Sequence, residues 1–276
     1  MTNWLITGAN SGLGRALARA ALERGDRVAG TVRTAAALAE FEALAPGRAK
    51  GFLADMADEA AVTAAVEDAI AALGGLDVLV NNAGYGLVGA VEESSLAEVR
   101  EQFEVNVFGP VAAIRAVLPH MRARRSGHII NVTSISGLAA WAGTGVYCGS
   151  KHALEGIGRT LAQEVAPLGI KVTNVEPGGM RTDYAGRSLR VTQLKIPDYD
   201  GTAHNAERIL GGHSGQEGGD PAKCAAAILR IAGAQDAPVQ LLLGADAVHY
   251  ATQAMAAFQE EFGRWAPLSL STGFDG

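Results

Sequence analysis

Two cysteines in 276 residues, Cys148 and Cys224, are too few for a disulfide scaffold and lack zinc-ligand spacing. The six histidines, at 120, 128, 152, 204, 213 and 249, show no metal-ligand spacing either. Aromatic residues make up only 5% of the chain and charged residues 19%. No basic run offsets the formal net charge of −6, so the chain carries no electrostatic footprint for nucleic acid or an anionic membrane. No apolar stretch reaches ~18 residues without a charge, which excludes a bilayer-spanning helix. Met1-Thr2-Asn3 lacks a basic n-region and leads directly into a strand-like run, so no signal peptide and a cytoplasmic location are expected. No tandem repeat or linker divides the chain. A single domain over residues 1–276 is expected, with a small molecule as partner rather than nucleic acid or membrane.

The chain is rich in glycine, with 35 residues, and 48% of it is hydrophobic. That is ample apolar mass for a core. Short β-branched runs alternate with Ala-rich helical stretches. Candidate strands are Trp4–Thr7, Arg27–Val32, Lys50–Ala54, Asp77–Asn81, His128–Thr133, Ile170–Glu176 and Val239–Leu243. Several are continuously apolar, as in strands buried on both faces of a parallel sheet. Between them, Val62, Val66, Ile70 and Leu73 share one helix face after an N-cap at Asp58. Leu154, Ile157, Leu161 and Val165 do the same in a helix that stops near Pro167 and Gly169. Asp220-Pro221 supplies an N-cap and a first-turn proline for another. Seven strands alternating with helices predict an α/β fold with a doubly wound parallel sheet. Asp183–Gly219 is the one irregular stretch, expected to be a substrate loop or lid. Val248, Met255, Phe258 and Phe262 fall on one side of a late helix, a pattern expected of core or a subunit contact.

Right after the first strand, Thr7-Gly8-Ala9-Asn10-Ser11-Gly12-Leu13-Gly14 opens a helix. Glycines there permit a tight turn, close backbone approach to a pyrophosphate, and tight helix–strand packing. Gly8, Asn10, Ser11, Gly12, Leu13 and Gly14 are therefore candidate nucleotide contacts. An NAD site places an acid at the end of the second strand. Here Val32 or Thr31 stands in that place and Arg33 follows, a cation suited to a 2′-phosphate. NADP(H) is expected, with NAD(H) the weaker alternative.

Tyr147 and Lys151 lie four residues apart on one helix face. A nearby ammonium favours the phenolate form of tyrosine, which a proton-transferring Tyr needs. Ser134, at the end of the fifth candidate strand, is placed to hydrogen-bond a reacting oxygen.

These elements resemble the short-chain dehydrogenase/reductase family over nearly the whole chain. The matching motifs are TGANSGLG at Thr7–Gly14, NNAG at Asn81–Gly84, Asn106 within VNVFG, VTSISG around Ser134, YCGSK at Tyr147–Lys151 and PGGMRT at Pro177–Thr182. The resemblance implies a Rossmann-type domain and hydride transfer between NAD(P) and a carbonyl/alcohol pair. It implies Tyr147 as acid–base, Ser134 as donor to the substrate oxygen, Lys151 as ribose ligand and tuner of Tyr147, and Asn106 as holder of a relay water. Asp55, followed by Met56, matches the family's adenine contact. Asn82, Ala83 and Gly84 would flank the adenosine ribose. Pro177, Gly178 and Thr182 would touch the cofactor, Thr182 at its carboxamide. The second-strand end, the EPGGMRTD segment and the C-terminal extension look most like 17β-hydroxysteroid-dehydrogenase-like and retinol-dehydrogenase-like oxidoreductases. A homodimer or homotetramer is expected.

Leu138, Trp141, Val146, Met180 and Tyr184 are expected to face the nicotinamide, with Arg181 and Arg187 the nearby cations. That mostly apolar set predicts an uncharged, fairly hydrophobic substrate. A catalytically idle NADP(H)-binding regulator on the same fold is the alternative, against which the intact Tyr147 and Lys151 stand.

Overall fold

Alternation along the first strand sets the layers. In the computed structural model, which describes residues 1–182, 188–212 and 215–274, β1 (Asn3–Ile6) sends Trp4 and Ile6 to one face of the sheet and Leu5 to the other, the period of two that a strand imposes. The other sheet strands are β2 (Arg27–Val32), β3 (Ala49–Leu53), β4 (Val78–Asn81), β6 (Gly127–Val132), β7 (Ile170–Pro177) and β9 (Gln240–Leu243). Their order is β3-β2-β1-β4-β6-β7-β9, with every pair parallel. The seven expected strands are all present. The fold is a Rossmann-like doubly wound sheet, whose strand order reverses between β1 and β4, the place where such sheets open a crevice.

Helices α1 (Gly12–Glu23) and α8 (Pro221–Ala232) cover the Trp4 face through Leu17, Leu22 and Ile228. Helices α3 (Glu59–Leu73), α5 (Gly109–Arg124) and α6 (Gly145–Val165) cover the Leu5 face through Val66, Val117 and Leu161. The start signals act as expected: Asp58 accepts from Ala61 N (3.0 Å) and Asp220 from Ala222 N (2.8 Å), satisfying donors that a helix start leaves open. The remaining helices are α2 (Ala35–Glu42), α4 (Leu96–Phe103), α7 (His204–Gly212) and α9 (Ala245–Leu270).

A polar ladder crosses the α6 side of this apolar sheet. Asn81, Asn131, Asn174 and Gln240 stand in register on β4, β6, β7 and β9. Asn81 Nδ2 donates to Asn131 Oδ1 (2.9 Å) and Asn131 Nδ2 to Asn174 Oδ1 (3.0 Å). Asn174 Nδ2 then donates to Glu155 Oε1 (2.8 Å), on α6. Gln240 Nε2 reaches both Glu155 (3.1 Å) and Glu176 (3.4 Å). Burial first, and then the Glu155 charge, holds the Glu176 carboxyl well above the usual carboxylate range. Its protonated form is therefore favoured at neutral pH and below. Stability from this site is full below its ordinary value of 4.5 and falls as the pH rises through the higher folded value. Glu176→Gln keeps the neutral shape, so its melting temperature is expected to decline less than the parent's as the pH rises from 4.5 to about 8. Parallel declines in calorimetry would show that Glu176 ionises freely.

One expectation changes, and of the two readings of the α9 stripe one is removed. The stretch expected to be irregular contains β8 (Leu189–Val191), which pairs in parallel with β5 (Gly86–Val88), then a turn at Pro197–Tyr199 and helix α7. β8 is too short to show a periodic pattern, and its pairing with β5 forms it. The stripe on α9 is not core: Val248, Met255, Phe258 and Phe262 are 50%, 51%, 46% and 69% exposed. Only Ala247 and Ala251 of that helix are buried, against Ile135 and Leu138. No helix among the described residues is long and apolar enough to cross a membrane.

Candidate active site

The strand-order reversal places the ends of β1, β4, β6 and β7 around one cleft of about 930 Å³. At its β1 end lies the glycine turn. Gly8 (φ 65°) and Gly12 (φ 51°) adopt left-handed backbone, a conformation glycine takes without steric cost. A Cβ on Gly14 would stand 2.4 Å from Asn82 Nδ2 and 2.5 Å from Gly8 O. Asn82 closes the turn from below, donating to Thr7 O (2.8 Å) and Gly8 O (3.2 Å). Thr7 Oγ1 accepts from Asn82 N (2.9 Å) and Ala83 N (3.0 Å). This cradle of bare backbone at the start of α1 fits a pyrophosphate.

Gly8, Asn10, Ser11, Gly12, Leu13, Arg33, Asp55, Met56, Asn82, Ala83, Gly84, Pro177, Gly178 and Thr182 all line the cleft. Gly14 acts by letting α1 pack. Arg33 is exposed at the end of β2, beside buried Val32. Its guanidinium makes no hydrogen bond or ion pair among the described residues. Gly178 and Gly179 are held by Asp246, in the first turn of α9: Gly179 N donates to Asp246 Oδ2 (2.7 Å), and a Cβ on Gly178 would meet its carboxylate at 2.2 Å.

Tyr147 and Lys151 face the cleft from the first two turns of α6, and Ser134 faces it from the end of β6. Lys151 is buried and donates from Nζ to Val132 O (2.9 Å). Its Nζ lies 5.8 Å from the centre of the Tyr147 ring. Burial lowers the Lys151 ammonium to about 8. Ser134 Oγ accepts from Ser136 N (3.0 Å), which leaves its own hydroxyl proton available to another acceptor. Asn106 lies in a π turn, Glu104–Phe108, an insertion often found at functional sites. It donates to Tyr85 O (2.9 Å) and Ser150 Oγ (3.1 Å) and accepts from Tyr85 N (3.1 Å). It thereby joins α6 to the strand end after β4. A Cβ on Gly84 would come within 3.0 Å of Asn106 Oδ1 and 3.6 Å of Lys151 Nζ, so the bare glycine lets these two groups approach the β4 end. Burial and the neighbouring Glu101 carboxylate push the Tyr85 phenol up to about 12, leaving it unsuited to proton transfer near neutrality.

The far wall is mostly apolar. Trp141 and Met180 line it as expected, but Leu138 and Val146 do not. Leu138 turns under α9 instead, because the turn after β6 uses it as packing. Tyr184 and Arg187 lie outside the described residues. Arg181 donates to Glu217 O (3.1 Å) and does not line the cleft, whereas Arg190, on β8, does. Arg190 lies 4.4 Å over the Tyr85 ring and donates to Glu101 Oε1 (2.5 Å), so its charge is matched by protein. Sequence reasoning missed Asp246, Tyr250, Ile209 and Leu210, which also line the cleft. They come from α9 and α7, and no local motif marks them. Tyr250 meets Trp141 edge to face at 5.4 Å.

A family model for short chain dehydrogenases matches residues 2–191. The chain belongs to the short-chain dehydrogenase family. It is 38% identical over 270 residues, 98% of each chain, to "Oxidoreductase BOA17" of Botryotinia fuckeliana. It is 36% identical over 241 residues, 87% of each, to "3-ketodihydrosphingosine reductase" of Bacteroides thetaiotaomicron. The crystal structure of a short-chain dehydrogenase from Streptomyces avermitilis matches with a TM-score of 0.93 at 41% identity, covering 99% of this chain and 98% of that one. Among more distant structures, ElxO with NADP bound matches at 26% identity and TM-score 0.72, covering 88% of this chain and 96% of that one. A short-chain dehydrogenase/reductase from Burkholderia phymatum in complex with NAD matches at 25% and 0.81, covering 100% and 97%. This short-chain dehydrogenase is thus an NAD(P)-dependent oxidoreductase acting on a small molecule.

Proposed function

We propose that the protein transfers hydride between NADP(H) and the carbonyl or secondary alcohol of an uncharged, fairly hydrophobic small molecule. The observation that carries this reading is one cleft holding the glycine cradle and Arg33 at one end, Tyr147, Lys151 and Ser134 at its floor, and an apolar wall beyond. The nicotinamide, when bound, supplies or accepts the hydride. In the reductive direction Tyr147 donates its phenolic proton to the substrate oxygen, and Ser134 donates a hydrogen bond to the same atom. Lys151 has one of its three donors on Val132 O, and the other two serve the cofactor ribose and favour the Tyr147 phenolate. Asn106 holds α6 in register with the β4 end and supports the relay water. Asp55 and Met56 contact the adenine side, and Thr182 the carboxamide. The protein acts as a single domain, and of the segment 183–219, in part outside the described residues, residues 188–212 and 215–219 form its lid.

A screen of hydrophobic ketones and aldehydes against charged keto acids, followed at the NADPH absorbance band, tests the substrate class. Turnover confined to the charged acids overturns it. The cofactor preference rests on Arg33. NADPH is expected to bind more tightly than NADH, and Arg33→Ala to erase most of the difference, each tenfold being about 1.4 kcal/mol. Calorimetry showing equal affinity for both nucleotides in the parent protein would refute the preference.

A further inference from the structure

Helix α7 is tied to the body of the molecule at a charged point outside the catalytic set. Glu93, in the turn Val91–Glu93, is 2% exposed. Its carboxylate accepts from Ala90 N (2.8 Å), from Ile196 N (2.6 Å) and, through Oε1, from His204 Nε2 (2.7 Å). The other ring nitrogen, Nδ1, lies 2.6 Å from Asp200 Oδ1. Carboxylates only accept hydrogen bonds, so both ring nitrogens must carry protons and His204 is an imidazolium.

The charges around it agree with this. Glu92 accepts from the Tyr199 hydroxyl (2.5 Å), and Asp198 lies in the same turn. On α7, Glu207 pairs with Lys195 (2.9 Å), and Arg208 donates to Asp200 O and Asn205 Oδ1. The acidic groups Glu92, Glu93, Asp198, Asp200 and Glu207 outnumber the cations Lys195 and Arg208. That excess outweighs the unfavourable end of the α7 dipole, which acts on His204 as the first helical residue.

What this point holds is part of the cleft wall. Asn205, Ala206, Ile209 and Leu210 of α7 line the cleft; His204 does not. The start of α7 also rests on Gly143 (φ 84°), where a Cβ would lie 2.1 Å from Ala203 O. There is no slack at this joint, so a loosened clamp moves the apolar wall.

We propose that His204, clamped as an imidazolium between Glu93 and Asp200, is a positioning residue that holds α7 over the cleft and sets substrate affinity according to pH. The inference rests on the reading of the cleft as a substrate site. Glu93 is locked by two backbone donors, whereas the Asp200 side chain is 71% exposed. Loss of a proton therefore vacates Nδ1 and releases Asp200 to water. The hydrogen bonds from His204 to Asp200 and Glu93 hold its protonated form above the ordinary 6.5, burial opposing them. The clamp is accordingly full below 6.5 and is lost as the pH rises through the higher folded value.

The test is KM and kcat for an accepted carbonyl from about pH 6 to about pH 9, with NMR titration of the His204 ring and hydrogen-exchange protection of α7 in the full chain. The parent is expected to show a severalfold upward step in KM at the pH where the ring titrates and α7 loses protection, with no matching step in kcat. Asp200→Asn, at an exposed site, is expected to move all three transitions to lower pH. His204→Gln is expected to raise KM at low pH and to remove the step. A parent KM without a step, or an Asp200→Asn transition that stays in place, overturns the proposal. If no carbonyl is turned over, the proposed function fails separately. The ring titration and the protection of α7 then decide the clamp alone: transitions at one shared pH support it, and protection indifferent to that pH overturns it.

Discussion

Tyr147→Phe is expected to lower turnover by at least ~10²-fold, the usual worth of a positioned general acid–base, while NADPH still binds. The substitution keeps the ring, its packing at the head of α6 and its distance to Lys151, and removes only the transferable proton. Lys151→Ala should harm both binding and turnover. Lys151 is buried with its amine lowered to about 8, so the residue sits near the point where it can lose its charge. In the oxidative direction the rate should rise with pH, with an apparent pKa below the ~10 of free tyrosine. Removing the ammonium should move that rise upward or abolish it. The profile belongs to the Tyr147–Lys151 pair rather than to either group alone. Ser134→Ala should mainly lower kcat, since its hydroxyl is offered to the reacting oxygen. Undiminished turnover in Tyr147→Phe would remove Tyr147 from the chemistry, whereas NADPH binding with no turnover of any carbonyl by the parent would favour the idle cofactor binder.

The second large effect is structural, and two glycines on one helix expose it. Gly158→Ala should cost about 3 kcal/mol, the upper range for forcing a methyl into a packed interior, and lower the melting temperature by roughly 6–12 °C for a chain of this size. The added Cβ would stand 2.0 Å from Asn174 Oδ1 and 2.8 Å from Asn131 Nδ2. It would therefore push α6 away from the amide ladder, and both asparagines are fully buried. An amide displaced there loses its partner with no water to replace it. Gly156→Ala is the control, because nothing lies within 4 Å of its Cβ. It should be neutral or stabilising by up to ~1 kcal/mol through helix propensity. Equal melting temperatures for the two variants would show that α6 does not depend on the ladder. Since α6 carries Tyr147, Lys151 and Glu155, Gly158→Ala should also lower activity in the fraction that folds.

The sheet and the cofactor cradle were legible because their signals are local. A parallel strand buried on both faces must be apolar throughout, so Val78–Val80 announces itself. The turn after β1 announces itself through its glycines, since the left-handed backbone at Gly8 and Gly12 and the close contact of Gly14 with Asn82 all disfavour a side chain. Tyr147 and Lys151 are four residues apart on a helix, a spacing that places them together in any fold. Asn81 was less transparent: as a residue it reads as strand-end turn chemistry, and only the register with Asn131 and Asn174 turns it into one rung of a ladder.

The alternation of elements, the doubly wound order it implies, the glycine cradle and the Tyr–Lys pair can all be read along the chain. Each follows from interactions among residues close along the chain. The far wall of the cleft, by contrast, is set by how distant elements dock. Leu138 left that wall for the underside of α9, while Tyr250 and Asp246 entered it from the same helix, about 100 residues downstream. His204 met Glu93 across 111 positions. Contacts at that separation depend on how two elements dock, and neither charge nor hydropathy in one segment carries information about its distant partner.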